Sequence, residues 1–521
     1  MGVDVCDRWA LARPEQVAII HDTGGKSGHS VEEVTYQGLK SRSNRLANLL
    51  AALGVNQKDR IGILLPQHPW TAIAHIAAWK MGAISIPLFT LFGEEALEYR
   101  LSDSSARVVI TNDEGVRKIS SIRDRCPDLT QVLCIDSAEE NGLFDTLNVA
   151  AEVAKYSELY DPVDTLAEDP ALIIYTSGTT GNPKGALHAQ RTLLGHLPGV
   201  EMSHDFLPQV GDKMWTPADW AWIGGLMDVL MPALHHGIPV VSRRLDKFSA
   251  ETAVALINKH GIRNAFLPPT ALRMMRMSWD ECEKLETPLR SIASAGEALG
   301  AELLDWGKET FGLWINEFYG QTECNMIVSS CGCLEDPQPG VMGYPVPGHD
   351  VSVISEFGHI LDPGVAGQIA VRGKTPVMFL GYWNNTDKTR EKFAGEWMLT
   401  GDIGMLEESG ALRFVGRDDD VITSAGYRIG PGEIENCLLG HPAVAVSAVV
   451  GKPDPLRTEI VKAFVQLNAG CVESDALIDE LKEWVKSRLS AHEYPREIAF
   501  VDDFPMTTTG KIIRRKLREI A

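Results

Sequence analysis

The stretch YTSGTTGNPKG, residues 175–185, is the part of this sequence that decides the fold. It follows an apolar run at 171–174 that is typical of a buried strand. Its three glycines allow positive φ angles and close approach of the backbone to a ligand. Its hydroxyl side chains add donors, and Lys184 adds a positive charge. A strand followed by such a loop predicts a cradle for phosphate groups.

The loop differs from the phosphate loop of P-loop NTPases. That motif requires G-x-x-x-x-G-K-[ST], whereas Lys184 follows Pro183 and precedes Gly185. A second candidate, GKS at 25–27, lacks the first glycine because position 20 is Ile20. A P-loop kinase therefore loses its main support.

Short apolar runs alternate with helical patterns on both sides of the loop. This alternation predicts an α/β domain with mainly parallel sheets flanked by helices. Near residue 370, shorter strands with turn residues predict an additional β-rich subdomain. The clearest predicted strands are 60–65, 83–88 and 107–111, and the clearest predicted helices are 36–53 and 70–81.

A second pattern begins after residue 416 and predicts a small α+β domain. Its predicted elements are a helix at 431–439, strands at 443–450 and 461–467, and a helix at 474–489. We expect an N-terminal domain over residues 1–416 and a C-terminal domain over residues 417–521. The boundary predicts a hinge near 417–420.

Composition excludes several classes of protein. The net charge of −21 argues against a broad nucleic-acid interface, which needs a basic face. Nine scattered cysteines, an odd number, predict a reducing, cytoplasmic compartment. Cys331 and Cys333 form a C-x-C near Cys324, but without a fourth ligand at zinc-site spacing we expect no metal site there. We expect neither a signal peptide nor a membrane span.

Four further blocks follow the 175–185 loop: YGQTE at 319–323, TGD at 400–402, GRDDD at 416–420 with GYRIG at 426–430, and TGK at 509–511. Together they resemble the acyl-adenylate-forming superfamily over nearly the whole chain, and most of all medium-chain acyl-CoA synthetases and their acetyl-CoA synthetase relatives. The resemblance implies that ATP and a carboxylic acid form acyl-AMP and pyrophosphate. Acyl transfer to coenzyme A then gives acyl-CoA and AMP. The implied cofactors are ATP, Mg²⁺ and coenzyme A.

The resemblance also assigns roles to residues. Lys511, Thr322 and Glu323 are the implied catalytic residues, and Glu323 also holds Mg²⁺, a hard cation that prefers oxygen ligands. Tyr319 is expected to offer a face to adenine, and Asp402 to accept hydrogen bonds from the ribose. The implied nucleotide and coenzyme A contacts are Thr176, Ser177, Gly178, Thr179, Thr180, Lys184, Gly296, Glu297, Ala298, Tyr319, Gly320, Gln321, Asp402, Arg417, Gly426 and Arg428.

The same resemblance implies a mobile C-terminal domain with Asp419 at its hinge and Gly426 beside the pantetheine channel. Gly320, Trp222 and Ala295 are the implied acyl pocket. Acetyl-specific relatives carry Trp where this chain has Gly320, which implies an acid larger than acetate: short or medium-chain, branched or ring-bearing. The basic residues at 514–518 are expected to form a solvated face.

Two alternatives stay open: a stand-alone adenylating enzyme that loads a carrier protein, and a non-catalytic nucleotide-binding protein. The context of Lys511 resembles that of acetylated lysines in the family. A lysine acetyltransferase and a deacetylase are therefore implied partners, beside the small carboxylic acid. Oligomerisation is left open.

Overall fold

The computed structural model describes all of the chain except residues 26–30, 137–145, 177–181, 246, 283, 286–288, 298, 374, 418–419, 425–426, 455–456, 490–493 and 507–511. Of Thr423, Tyr427 and Arg428 it describes the backbone alone.

Eight of the described strands form one sheet of the larger domain, and most neighbouring strands in it pair in parallel. Its central strands are buried along their length, because helices cover both faces of a parallel sheet. The strand order is Gly381–Tyr382, Lys184–Ala189, Pro170–Thr176, Ile84–Pro87, Arg60–Leu64, Val108–Thr111, Gln131–Cys134, Thr146–Asn148.

A second sheet contains fourteen of the described strands and changes character along its width. The half that includes Asn264–Phe266 and Ser291–Ser294 is mainly parallel, and beyond Ile315–Gln321 every described pairing is antiparallel. The antiparallel half is the predicted β-rich subdomain. The order is Asp350–Ile354, Ala366–Arg372, Trp397–Leu406, Leu412–Arg417, Val341–Pro345, Cys324–Ser329, Ile315–Gln321, Ser291–Ser294, Asn264–Phe266, Met214–Trp215, Val240–Ser242, Val17–Asp22, Val31–Thr35, with Phe393–Ala394 beside Trp397–Leu406.

Helices flank these sheets, and the predicted ones lie within a residue or two of their expected bounds. Tyr36–Ala52 begins where the Thr35 hydroxyl accepts from the Gly38 N–H (3.1 Å), a side-chain cap. Among the described helices, none is both long and apolar enough to cross a bilayer. The larger-domain helices and helical turns are Val3–Asp7, Arg8–Ala12, Tyr36–Ala52, Pro69–Lys80, Glu94–Asp103, Asp113–Ser120, Arg123–Arg125, Val149–Val153, Thr192–Ser203, Ile223–Gly225, Leu226–Leu230, Met231–His236, Ala250–His260, Pro269–Met277, Trp279–Glu281, Ala301–Phe311 and Thr386–Glu391.

The C-terminal residues build a separate small sheet with its own apolar core. Helices Pro431–Leu439 and Asp475–Arg488 pack on it. Its described strands are Ile422–Ser424, Tyr427–Ile429, Val444–Asp454, Thr458–Leu467 and Glu497–Phe500. The fold class, a large α/β domain with a β-rich part followed by a small α+β domain, is confirmed. The boundary at 416/417 stays a prediction.

The last helix, Arg514–Glu519, corrects one expectation. Arg514 donates to both carboxylate oxygens of Glu435 (2.7 and 2.9 Å), and Arg514 and Arg518 both bind Asp420. These two arginines are therefore not part of a solvated face. They tie the residue beside the predicted hinge to the helix that follows Lys511, because a bidentate arginine–carboxylate pair fixes geometry as well as charge.

Candidate active site

A pair of antiparallel strands holds together the two ends of the 175–185 loop. Pro170–Thr176 and Lys184–Ala189 pair with Thr176 opposite Lys184. The Thr176 hydroxyl donates to the Lys184 carbonyl across this pair (3.4 Å). The base of the predicted phosphate cradle is thus in place. Its tip, with Ser177, Gly178, Thr179 and Thr180, lies outside the described residues.

The turn of the YGQTE block carries Thr322 and Glu323. Gln321 and Cys324 lie opposite each other where the two strands of this hairpin meet, so the two predicted catalytic residues form its tip. The Glu323 backbone carbonyl accepts from the Phe379 N–H (2.8 Å). Glu323 is only 7% exposed, so its carboxylate is held in one place.

Tyr382, which the sequence analysis did not identify, connects this turn to the loop base. Its strand pairs with Lys184–Ala189, and the Lys184 ammonium lies 4.6 Å from the centre of the Tyr382 ring. Its hydroxyl makes a short hydrogen bond to the Glu323 carboxylate. Burial, and then the charge of Glu323, raises the pKa of Tyr382, so the phenol remains a donor at neutral pH.

Tyr319, Asp402 and Arg417 meet on the other side of the hairpin. The Tyr319 hydroxyl donates to Asp402 Oδ2 (2.5 Å), and Arg417 Nε lies 3.3 Å from Asp402 Oδ1. Asp402 and Arg417 are cross-strand partners, which places their side chains together. Burial, and next the Asp402 charge, raises the pKa of Tyr319 well above its usual range. Three predicted nucleotide residues thus form one polar cluster.

Lys392 is a second residue that the sequence analysis missed. Its ammonium donates to Gln321 Oε1 (2.8 Å) and to the carbonyls of Leu399 (3.2 Å) and Thr400 (3.3 Å). Gln321 Nε2 donates to the same Thr400 carbonyl (3.0 Å). An ammonium has three donors, so this set uses all of them. Lys392 therefore ties the YGQTE strand to the strand that carries Asp402.

The charge of Lys392 belongs to the site as well. Burial lowers its pKa, while the nearby carboxylates of Glu323 and Asp402 act against that shift. A chain with a net charge of −21 needs local positive charge to attract a polyanion. Lys184, Lys392 and Arg417 supply it here. In the sequence Lys392 follows the polar run TDKTRE, which resembles any solvated helix.

The GEA block lies after the buried strand Ser291–Ser294. Gly296 has φ +98°, a left-handed conformation that favours glycine. The Glu297 carboxylate binds Arg273 and accepts from the Thr270 hydroxyl (3.2 Å). The loop is therefore shaped by its own glycine and an ion pair. Ala298 lies outside the described residues.

The three predicted acyl-pocket residues differ in their surroundings. The half-buried Trp222 ring lies 5.7 Å from that of Phe89, and Ala295 packs against the large apolar core. Gly320 is the most crowded. A Cβ built there would lie 2.6 Å from both Asn325 Cα and the Met326 nitrogen. The space beside Gly320 is therefore occupied by the facing strand, and a larger residue requires that strand to move.

Behind Gly320 lies a buried polar pair that no sequence motif indicated. Asn325 Nδ2 donates to both carboxylate oxygens of Asp228 (3.0 and 2.8 Å). Asp228 lies in a π-helical turn, and burial raises its pKa well above the usual range. His196 Nε2 is 3.9 Å from Asp228 Oδ1.

Several predicted site residues are not placed. Lys511, Asp419 and Gly426 lie outside the described residues, and Arg428 is described by its backbone alone, in strand Tyr427–Ile429. Their roles stay predictions.

Comparison with known proteins identifies the family of this chain. The family model described as "AMP-binding enzyme" matches residues 6–383, and the model described as "AMP-binding enzyme C-terminal domain" matches residues 433–511. The chain belongs to the AMP-binding enzyme family. Acetyl-coenzyme A synthetase of Bacillus subtilis (strain 168) is 35% identical to this AMP-binding enzyme over 522 residues, which are 99% of this chain and 89% of that protein.

Solved structures of similar enzymes have the same overall fold as this chain. Anthranilate CoA ligase AuaEII in complex with anthranoyl-AMP is 29% identical, has a TM-score of 0.89, and is matched over 100% of this chain and 97% of that chain. ATP-bound MatB from Rhodopseudomonas palustris is 26% identical, has a TM-score of 0.85, and is matched over 100% and 99%. The predicted enzyme class, an AMP-forming acyl-CoA ligase that uses ATP and coenzyme A, is confirmed.

Proposed function

We propose that this AMP-binding enzyme activates a short or medium-chain, branched or ring-bearing carboxylic acid larger than acetate. The acid carboxylate attacks the α-phosphate of ATP, and pyrophosphate leaves to give the acyl-adenylate. The thiol of coenzyme A then attacks the acyl carbon, AMP leaves, and the thiol proton passes to solvent. Positioning and charge stabilisation supply most of the catalysis in such reactions.

One observation supports the proposed adenylation step. Tyr382 contacts both Lys184, at the base of the phosphate loop, and Glu323, at the tip of the YGQTE hairpin. In our proposal Lys184 and Thr322 bind phosphate oxygens. The Glu323 carboxylate is nearly buried and fixed by a phenol, and one such oxygen ligand plus substrate phosphates is the usual way to bind Mg²⁺. Bound there, Mg²⁺ would neutralise phosphate charge.

The polar cluster opposite would receive the nucleoside. We propose that Asp402 accepts from the ribose hydroxyls, since a carboxylate can accept several donors at once. Arg417 would add a second contact, and Tyr319 and the GEA block would border adenine. In this proposal Lys392 is a positioning residue, because it touches Gln321 and the Thr400 carbonyl rather than the nucleotide.

The acid itself is best found with a panel. Short, medium, branched and aromatic acids would be assayed for AMP release with coenzyme A present. We expect acetate to be a poor substrate and acids of about four to eight heavy atoms to be better, because apolar burial favours added carbons. Acetate as the best substrate would contradict the size proposal.

Two measurements separate the alternatives. Acid-dependent ATP–pyrophosphate exchange is expected of an adenylating enzyme, and its absence with every acid would contradict the adenylation step described above. Mass spectrometry of the thioester, with coenzyme A and a carrier protein offered together, distinguishes the acceptors. We expect acyl-CoA.

We further propose that Lys511 acts in the first half-reaction alone, with Asp419 as the hinge and Gly426 and Arg428 on the coenzyme A side. Lys511→Ala should abolish adenylate formation and spare thioester formation from supplied acyl-AMP. Equal loss in both half-reactions would count against two conformations.

Acetylation of Lys511 by a lysine acetyltransferase would remove its charge. Activity should then fall and return on deacetylation, and an acetylated enzyme with unchanged activity would exclude this regulation.

A cytoplasmic location is a further proposal. It rests on the odd number of cysteines and on their scattered positions in the sequence.

A further inference from the structure

The turn that follows strand Cys324–Ser329 brings two thiols and a carboxylate together. Cys331 and Cys333 flank Gly332, and their Sγ atoms lie 3.4 Å apart. Asp205, 126 residues earlier, lies against them, with its Oδ1 3.7 Å from Cys331 Sγ. We propose that Asp205, Cys331 and Cys333 bind a thiophilic divalent cation of the zinc class.

The ligand atoms are already spaced for such an ion. Zinc bonds of about 2.3 Å to sulfur and about 2.0–2.2 Å to oxygen at tetrahedral angles require about 3.8 Å between sulfurs and about 3.5 Å between sulfur and oxygen. Two of the three separations, 3.4 Å between the sulfurs and 3.7 Å between Cys331 Sγ and Asp205 Oδ1, lie within a few tenths of an ångström of these values. All three ligand atoms lie within 4.8 Å of one another. Small side-chain adjustments would therefore complete the geometry.

The surrounding residues hold the two halves of the site in register. Asn316 Nδ2 donates to Asp205 Oδ1 (2.9 Å), and Asn316 Oδ1 accepts from the Gly332 N–H (2.6 Å). One amide thus fixes both the carboxylate and the Cys-Gly-Cys turn. Gly332 is required there, because a Cβ would lie 2.7 Å from Trp314 Cβ. Such outer contacts orient ligands in metal sites.

Cys324, the third cysteine near this turn in sequence, is buried in a different apolar cluster. Asp205 supplies the third ligand from the chain that follows helix Thr192–Ser203. Sequence spacing gave no sign of this residue, because the contact is long-range. Cys333 is exposed, so a cation can enter from solvent and water can take the fourth position.

The chemistry of this site differs from that of the proposed magnesium ligand Glu323. Thiolates prefer zinc-like ions, whereas carboxylate and phosphate oxygens prefer magnesium. Binding replaces two S–H bonds by metal–sulfur bonds and releases both protons to the buffer, so no oxidant is required. The ion would join the turn after Thr192–Ser203 to the turn after Cys324–Ser329, which favours a stabilising role.

The test uses the full-length reduced chain after chelator treatment, titrated with Cd²⁺ and followed by sulfur-to-cadmium charge-transfer absorbance. We expect one equivalent to bind and Zn²⁺ to displace it. Cys331→Ser and Cys333→Ser should each remove most of the signal. Asp205→Asn, which can keep the hydrogen bond from Asn316 Nδ2, should weaken binding at least about tenfold, the lower end of what outer contacts alone cost.

Two cysteines serve as matched controls. Cys134 lies in a group with a single thiol and two carboxylates, Asp113 and Asp136, and Cys471 is exposed in the small domain. Cys134→Ser and Cys471→Ser should leave the signal unchanged. Zn²⁺ should also protect Cys333, but not Cys471, from alkylation, as read by peptide mass spectrometry. A Cys331→Ser/Cys333→Ser variant with wild-type Cd²⁺ binding, or equal alkylation of both cysteines with Zn²⁺ present, would overturn the proposal.

Discussion

The two sides of the short run 319–321 differ in how they are built. Tyr319 and Gln321 reach Asp402 and the Thr400 carbonyl, so one side is a network of hydrogen bonds that ends on charged groups. Gly320, between them, faces the Asn325 backbone with no space for a Cβ. Alternation along a strand explains why adjacent residues serve different surroundings.

This difference separates two kinds of constraint. On the side of Tyr319 and Gln321, removing one partner leaves a buried polar group unsatisfied, which is costly but local. On the Gly320 side, adding atoms forces the backbone of a strand to move. Changes on the first side should therefore alter the kinetic constants for ATP. Changes on the second side should alter the free energy of unfolding and the preference among acids.

Among changes around residues 319–321, Asp402→Ala should have the largest effect. Hydrogen bonds to charged groups contribute about 1.5–3 kcal/mol each, so losing two ribose contacts predicts a fall in kcat/KM for ATP of about 100-fold or more. The measurement is steady-state AMP release with varied ATP. Tyr319→Phe removes one hydrogen bond to Asp402 and should cost less. A kcat/KM for ATP within about threefold of wild type in Asp402→Ala would contradict the assignment.

Lys392→Met should come next. It keeps the volume of the stem but removes the three hydrogen bonds that place Gln321 and Thr400. Misplacement by about an ångström can cost about 100-fold in rate. We therefore expect kcat/KM for ATP to fall about ten- to hundredfold, mostly because KM for ATP rises. Lys392→Arg should restore part of it. Lys388→Met, which removes an exposed pair with Glu391, is the control. A Lys392→Met variant that changes the KM for the acid alone would contradict a nucleotide-side role.

The sequence marked the residues of this polar cluster because local motifs carry them, and their roles in nucleotide binding stay predictions. Tyr319, Asp402 and Arg417 each lie in a recognisable block, and strand pairing brings the blocks together. Tyr382 and Lys392 were missed because nothing local distinguishes them from a strand residue or a solvated lysine. Their roles arise from contacts with Glu323 and Gln321, across 59 and 71 residues respectively. A pattern in one segment cannot encode such contacts.

Gly320→Ala tests the crowded side. Overpacking costs about 1–3 kcal/mol, so the free energy of unfolding in urea should fall by that amount while KM for ATP changes little. Gly432→Ala is the control, because a Cβ there meets no atom within 4 Å. Gly320→Trp, if it folds, should shift preference toward acetate and propionate. A folded Gly320→Trp variant with an unchanged acid profile would remove Gly320 from the acyl pocket.

The smallest expected effect separates two neighbouring tryptophans. Trp220 is fully buried in the large core, whereas Trp222 is half-buried beside Phe89. Each buried methylene contributes about 0.8 kcal/mol, which predicts about a fourfold gain in kcat/KM per added carbon until the pocket is full. If Trp222 forms the far wall, Trp222→Ala should move that limit to longer acids and leave KM for ATP unchanged. Trp220→Phe should lower the free energy of unfolding and keep the wild-type order of acids.

The measurement is kcat/KM across a linear acid series in all three proteins. A series with the same best acid in Trp222→Ala and wild type would return Trp222 to the role of a packing residue. The pocket would then have to be bounded by residues that the sequence motifs do not mark, such as Phe89.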